Sequence, residues 1–212
     1  MFDYSFIDLD DTLFSTYIFK KDIFGCFSLC GVTPEDYQMT YKQAVFGPVV
    51  GYFDYTFKKH ADILRENGYE IPDRTVEDLN NLFKKDYKDQ QAEEFLTALK
   101  KFSNKLILLT AGEKNIQQKK IDSTGLAKYF DEIVIIDGGK GQKIISMVGR
   151  TEKILFVNDN LIENLQIKNE LPNILVVAKK NPTLWTEEDY QSAGMPYFHT
   201  LNEIKDYVSR SI

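Results

Sequence analysis

Three acids within four residues are the first chemically suggestive feature of the chain. Phe6-Ile7-Asp8-Leu9-Asp10-Asp11-Thr12-Leu13 closes an apolar run near the amino end. Side chains alternate faces along a strand, so Asp8 and Asp10 are expected to project the same way while Leu9 packs inward. Open α/β sheets bind ligands beyond the carboxyl ends of their strands. Two carboxylates held this close repel, and neither ionises freely unless a cation lies between or beside them. Mg2+, which prefers hard oxygen donors, is the usual cation. Taken alone, the same string also reads as a solvated turn with a helix cap.

Other chemistry-bearing residues offer less. Cys26 and Cys30 fall one helical turn apart, yet a closed zinc site takes four ligands and only His60 and His199 remain as partners. Buried free thiols are the expectation. Gly138-Gly139-Lys140-Gly141-Gln142-Lys143 is not a Walker loop, because Val134 stands where that motif needs Gly and no Ser or Thr follows Lys140. Aromatics crowd residues 14–57: Phe14, Tyr17, Phe19, Phe24, Phe27, Tyr37, Tyr41, Phe46, Tyr52, Phe53, Tyr55 and Phe57. Some could stack on a flat ligand, but most are expected to fill a small core. Lys20-Lys21 and Lys58-Lys59 offer cationic grip on a phosphorylated substrate or simply a solvated helix face.

Positioning the acids requires a sheet. Apolar runs with strand character lie at 4–9, 105–110, 132–137, 153–158 and 173–178. The last four carry little charge, as strands buried on both faces do. Helical patterns alternate with them at 114–123, 142–149, 161–171 and 201–209, and 196–199 adds a short edge strand. Trp185 reads as packing at that sheet edge. Alternation of this kind predicts a doubly wound, Rossmann-like parallel α/β sheet.

Between the first two strands the alternation stops. Helices are expected at 17–29, 34–46, 50–67, 76–87 and 92–102, divided by Gly31, Gly47-Pro48, Asn67-Gly68 and Pro72-Asp73. The economical organisation is an α/β core of residues 1–13 and 104–212 with an all-helical insert over 14–103.

Composition narrows the classes. The 212 residues carry 26 Lys+Arg against 32 Asp+Glu, a net charge of −6, which lacks the basic footprint of a nucleic acid binder. No apolar run reaches the ~20 residues of a membrane span, and residues 1–11 carry acids where a secretory leader carries cations. Two cysteines make no disulfide framework, so a cytoplasmic protein is expected.

Further strand ends extend the pattern of the opening acids. The second strand ends in Leu109-Thr110-Ala111-Gly112, followed by Gln117, Lys119, Gly125-Leu126 and Tyr129-Phe130-Asp131. The fourth ends in Val157-Asn158-Asp159, with Glu163 four residues on. In order and placement these motifs resemble those of the haloacid dehalogenase superfamily, over residues 1–13 and 104–212.

The resemblance implies a role for each residue. Asp8 would be the nucleophile that forms an aspartyl-phosphate. Asp10 would be the general acid and then the general base; members that dehalogenate carbon lack a carboxylate there. Thr110 and the N–H groups of Ala111 and Gly112 would hold phosphate oxygens, although Thr110 alone also reads as a helix N-cap. Asp8, Asp159 and the backbone carbonyl of Asp10 would hold Mg2+. Glu163 would support a metal-bound water or the catalytic lysine. That lysine is Lys140, flanked by glycines, or Lys143. Asn158 departs from the Gly or Asp usual at its position. The insert would be a cap hinged near 13–16 and 102–105 that selects the leaving group.

These implications lead to a Mg2+-dependent phosphatase of a small phosphorylated metabolite, a nucleoside monophosphate or sugar phosphate, acting as monomer or homodimer without a nucleic acid or membrane partner. A phosphomutase or phosphotransferase would use the same intermediate. A catalytically idle ligand-binding protein would share the fold.

Overall fold

The computed structural model describes residues 1–46, 54–149 and 151–211. Six parallel strands form one sheet: β1 (Phe2–Ile7), β2 (Ser103–Ala111), β3 (Glu132–Ile136), β4 (Ile154–Asn158), β5 (Ile174–Lys179) and β6 (Tyr197–Phe198), in the order β3-β2-β1-β4-β5-β6. Between β1 and β2 the chain forms α1 (Thr16–Ser28), α2 (Pro34–Val45), α3 (Phe57–Glu66), α4 (Asp73–Asn81) and α5 (Ala92–Phe102). The crossovers after β2 are α6 (Lys114–Thr124), α7 (Lys140–Met147), α8 (Leu161–Glu170) and α9 (Glu187–Ser192), and α10 (Leu201–Arg210) closes the chain.

Strand alternation builds the core on both faces. Ile7, Leu106, Leu108, Leu155 and Val157 pack with the insert, α5, α6 and α10. Phe6, Ile107, Leu109, Phe156 and Val176 pack with Ile144, Leu161, Ile167 and Tyr190. Every residue of β4 is buried, because helices cover the sheet from either side.

The described elements differ from expectation in several places, each with a local cause. β1 ends at Ile7 and not Leu9: the N–H of Asp8 still bonds Val157 O at 2.9 Å, but those of Thr12, Leu13 and Phe14 converge on Leu9 O at 3.3, 2.8 and 2.9 Å. Asp8 therefore ends the ladder and Asp10 enters the turn that follows, yet both line one cleft while Leu9 is fully buried, as expected. Asp11 takes φ of 50°, and its Oδ1 accepts the N–H of Tyr17 at 2.8 Å, a conformation an aspartate side chain tolerates. α3 begins at Phe57 because the Thr56 hydroxyl caps Lys59 N–H at 3.1 Å. Residues 50–53 of the expected helix, the Gly47-Pro48 break, Tyr52 and Phe53 lie outside the described residues. The fourth helix starts earlier than expected, directly after Pro72, and tightens to a 3-10 turn at Leu82–Lys84. Thr110 caps no helix, since the Glu113 side chain caps α6 through Ile116 N–H. The unforeseen α9 is held by a capping box between Thr186 and Asp189. Cys30 lies beyond α1, and both thiols are free and half-buried, with Cys30 Sγ 3.6 Å from Thr75 Oγ1. Trp185 packs edge-on to Tyr190 at 6.5 Å, in the smaller core cluster.

His60 sits among the aromatic rings of Phe27, Tyr37 and Tyr55. The ring is fully buried, 3.0 Å from Thr40 Oγ1 and 3.1 Å from Tyr55 OH, and burial lowers its pKa to about 4. The folded state therefore keeps His60 neutral where the unfolded chain, titrating near 6.5, takes up a proton. Stability should fall as pH drops from about 6.5 to about 4, by on the order of 3 kcal/mol for this group. Urea unfolding of wild type and His60→Gln at pH 7 and pH 4.5 checks this. The variant should lose less stability over that interval, and parallel losses would refute the assignment.

Candidate active site

The strand order reverses direction between β1 and β4, which opens a crevice at their carboxyl ends. β1 delivers Asp8 and Asp10 to it, and β4 delivers Asn158 and Asp159. A cleft of about 500 Å³ lies there, lined on the sheet side by Asp8, Asp10, Lys140 and Asp159 and on the insert side by Lys20, Tyr41, Lys42 and Tyr55. A separate cleft of about 560 Å³, between Asp22, Tyr87 and His199, shares no residue with it and holds none of these acids.

Lys140 reaches Asp8. Its Nζ lies 2.7 Å from Asp8 Oδ1, 3.0 Å from Glu163 Oε2 and 3.2 Å from Asn158 Oδ1. Lys140 is the first residue of α7, and Gly139 before it takes φ of +75°, a backbone conformation that glycine adopts without strain. Lys143, one turn further along this two-turn helix, is absent from the cleft wall. Glu163 holds the lysine directly. Asn158 completes the cluster: it is fully buried, and its Nδ2 donates to Glu163 Oε2 at 3.1 Å and to Asn164 Oδ1 at 3.1 Å. An amide there can bond the ammonium with its oxygen and the carboxylate with its nitrogen. Burial opposes the Lys140 charge, but Asp8 and Glu163 outweigh it and raise its pKa. Burial likewise lifts the Asp8 carboxyl above the usual range; Lys140 pulls it down, while Asp10 and Glu163 push it further up.

Asp10 has a cation of its own. Lys120 Nζ lies 2.5 Å from its Oδ1, Thr16 Oγ1 donates to the same oxygen, and Gln117 Nε2 donates to Oδ2 at 2.7 Å. Burial alone would raise the Asp10 pKa; the Lys120 charge and these hydrogen bonds lower it to about 2. Neither Lys120 nor Thr16 was expected at the site, and Gln117 was noted only as part of a motif. A signal existed: Gln117 and Lys120 fall at helical spacing on the face that carries Ile116 and Ile121, and both are buried. Polar residues on a buried helical stripe need partners.

Thr110 lies beneath the cleft. It is fully buried, and its hydroxyl oxygen accepts from Gln117 Nε2 at 2.5 Å. Ala111 and Gly112 line the wall beside it. A Cβ on Gly112 would come within 3.1 Å of the Gln117 side chain, so this glycine lets the amide reach both Thr110 and Asp10.

Asp159 faces the pair from β4. Asn181 Nδ2 donates to its Oδ2, and Tyr190 OH donates to its backbone carbonyl at 3.3 Å. Asn181, likewise unforeseen, is fixed by the N–H groups of Thr183 and Leu184, both 2.9 Å from its Oδ1. Burial and then the charge of Asp8 push the Asp159 pKa well up, against the Asn181 hydrogen bond and Lys140. Among the described residues no three His, Cys, Asp or Glu side chains form a cage for a metal. Two carboxylates with a backbone carbonyl form the sparse oxygen set that suits Mg2+, which retains water. The charge of Asp8 raises the pKa of the buried Asp159, and a divalent cation relieves such repulsion. The donor set therefore fits.

The aromatics of the insert divide. Phe14, Phe19, Phe27 and Phe57 are buried in the main core, whereas Tyr41, Phe46 and Tyr55 reach the cleft. Lys20 also lines the cleft, with its Nζ 5.1 Å from the centre of the Tyr41 ring. Lys58 and Lys59 pair instead with Asp62 and Asp54.

No family model matches the chain, and no curated protein matches it. Solved structures do. The L-2-haloacid dehalogenase of Xanthobacter autotrophicus superposes with a TM-score of 0.67 at 16% identity, covering 99% of both chains. A candidate β-phosphoglucomutase of Thermotoga maritima gives 0.68 at 18% identity, covering 99% of this chain and 100% of the other. A candidate HAD-type hydrolase of Bacillus subtilis, solved with magnesium bound, gives 0.66 at 16% identity, covering 98% and 99%. At such identities the likeness is one of fold.

Proposed function

We propose, for a chain with the haloacid dehalogenase-type fold, the activity of a Mg2+-dependent phosphatase acting on a small phosphorylated metabolite. The observation that carries this reading is a pair of acids two residues apart, each held by a separate lysine: Asp8 by Lys140 and Asp10 by Lys120. A carboxylate beside the nucleophile serves a leaving alkoxide, which needs a proton, and does nothing for a halide, which does not.

Asp8 attacks phosphorus, the bond to the leaving oxygen breaks, and Asp10 gives that oxygen a proton. Asp10 rests as a carboxylate; arrival of an anionic phosphoryl group adds like charge beside it and raises its proton affinity, so it takes up a proton from solvent before the bond breaks and passes that proton to the leaving oxygen. Water then attacks the aspartyl-phosphate at phosphorus, giving its proton to Asp10 and restoring Asp8. Acid–base help of this kind contributes about 10²–10⁴-fold. Lys140, Thr110 and the N–H group of Ala111 hold the phosphoryl oxygens; the Gly112 N–H, expected from the sequence to join them, instead donates to Ile136 O at 2.9 Å and extends the β2–β3 ladder. Asp8, Asp159 and the Asp10 carbonyl would hold Mg2+, which when bound would supply positive charge to the transferring group. Lys20, Tyr41 and Tyr55 of the insert meet the leaving group.

The test is phosphate release from a panel of nucleoside monophosphates and sugar phosphates, with Mg2+ or with a chelator, beside halide release from 2-haloacids. Phosphate release that the chelator stops is expected. Halide release without phosphate release would overturn the reading. Isomerisation of a sugar phosphate faster than its hydrolysis would shift it to phosphotransfer.

A further inference from the structure

We propose that Lys120 is a positioning residue for Asp10, setting the carboxylate that protonates the leaving group; the inference rests on the reading above. Lys120 and Gln117 reach Asp10 from α6, and Thr16 reaches it from the start of α1, so the carboxylate is gripped by core and insert together. Oδ1 takes Lys120 at 2.5 Å and Thr16; Oδ2 takes Gln117 at 2.7 Å. A carboxylate offers about four lone-pair sites, so three donors leave it little freedom to turn. Asp10 remains 28% exposed, and it lines the cleft.

The lysine is itself held. Its side chain is 9% exposed, and its Nζ lies 5.6 Å from the Phe14 ring centre and 6.0 Å from that of Phe19. Two ring faces and a carboxylate within reach restrict where the ammonium can rest. Gln117 also bonds Thr110 Oγ1 at 2.5 Å and Ala111 O at 3.2 Å. One amide therefore ties the acid's oxygen to the strand end that binds phosphate. Lys140 already balances Asp8 and Glu163, so Lys120 is left to Asp10, which it contacts, and acts on Asp11 only through its charge.

A group that aims the acid acts only where a proton is needed. The test compares kcat/KM for an alkyl phosphate, whose leaving group must be protonated, with kcat/KM for para-nitrophenyl phosphate, whose leaving group departs as the anion. This constant covers the steps through aspartyl-phosphate formation, so later hydrolysis does not enter it. Lys120→Met should lower the alkyl value by about 10²-fold and the aryl value by less than about 5-fold. Lys120→Arg, which retains a charged donor, should recover most of the loss. Thr16→Val should show the same preference more weakly, and it decides the matter if Lys120→Met fails to fold. Equal losses on both esters, or no loss, would overturn the role of Lys120 while leaving the phosphatase reading intact. Absence of Asp8-dependent turnover of either ester would overturn both.

Discussion

Asp8→Asn should lose turnover by on the order of 10⁴-fold or more while folding as well as the wild type. The substitution keeps shape and removes the nucleophile, since an amide oxygen forms no acyl phosphate under these conditions. Lys140 keeps Glu163 at 3.0 Å and Asn158 at 3.2 Å, so the ammonium stays partnered. Asp159, whose pKa burial and the Asp8 charge raise, loses a like charge beside it. Without added metal the variant should therefore melt at or above the wild-type temperature. Steady-state rates and melting curves, measured with and without Mg2+, check both halves. Near wild-type turnover would remove Asp8 from the chemistry.

Lys140→Met carries the second large effect. The site loses a buried cation beside the transferring group, which should lower kcat by about 10²–10³-fold. Removing one partner of a buried pair costs about 3–5 kcal/mol when the other stays charged. The loss should fall below that range in the absence of Mg2+, because Asp8, whose pKa already lies above the usual range, can take up a proton. Lys140→Arg should not restore activity. Lys140 Nζ is buried between Asp8, Glu163 and Asn158 at 2.7, 3.0 and 3.2 Å, contacts to a compact ammonium that a larger planar head group does not reproduce. Lys143→Met is the control, and should change stability by no more than about 0.5 kcal/mol and leave kcat unaltered. A loss at Lys143 equal to that at Lys140 would contradict the geometry.

How much of this was legible in the chain depended on distance along it. Runs such as 105–110 and 153–158 carry their strand character locally, and the helical interval between the first two strands announced an insert. The acids at 8 and 10, the strand end at Thr110 and the Asn158-Asp159 pair were visible because each lies at an element boundary. Boundaries themselves shifted where side chains chose them, as with the Thr56 cap that starts α3 or the Leu9 carbonyl that ends β1. What stayed hidden was pairing across the fold. Lys120 lies 110 residues from Asp10, and Asn181 lies 22 from Asp159. Both are ordinary residues until the sheet closes. Only the polar break in the buried stripe of α6 hinted at the first, and nothing local pointed to the second.

Transfer of phosphorus to Asp8 would leave an acyl phosphate that can be trapped. Rapid mixing of the Mg2+-loaded protein with a substrate, quenching and reduction with borohydride converts an acyl phosphate to the alcohol, which peptide mass spectrometry locates. Homoserine is expected in place of Asp8 in the peptide that contains it, formed only with substrate present and absent in Asp8→Asn. Reduction at another acid, or turnover with Asp8 left unmodified at every quench time, would contradict that transfer.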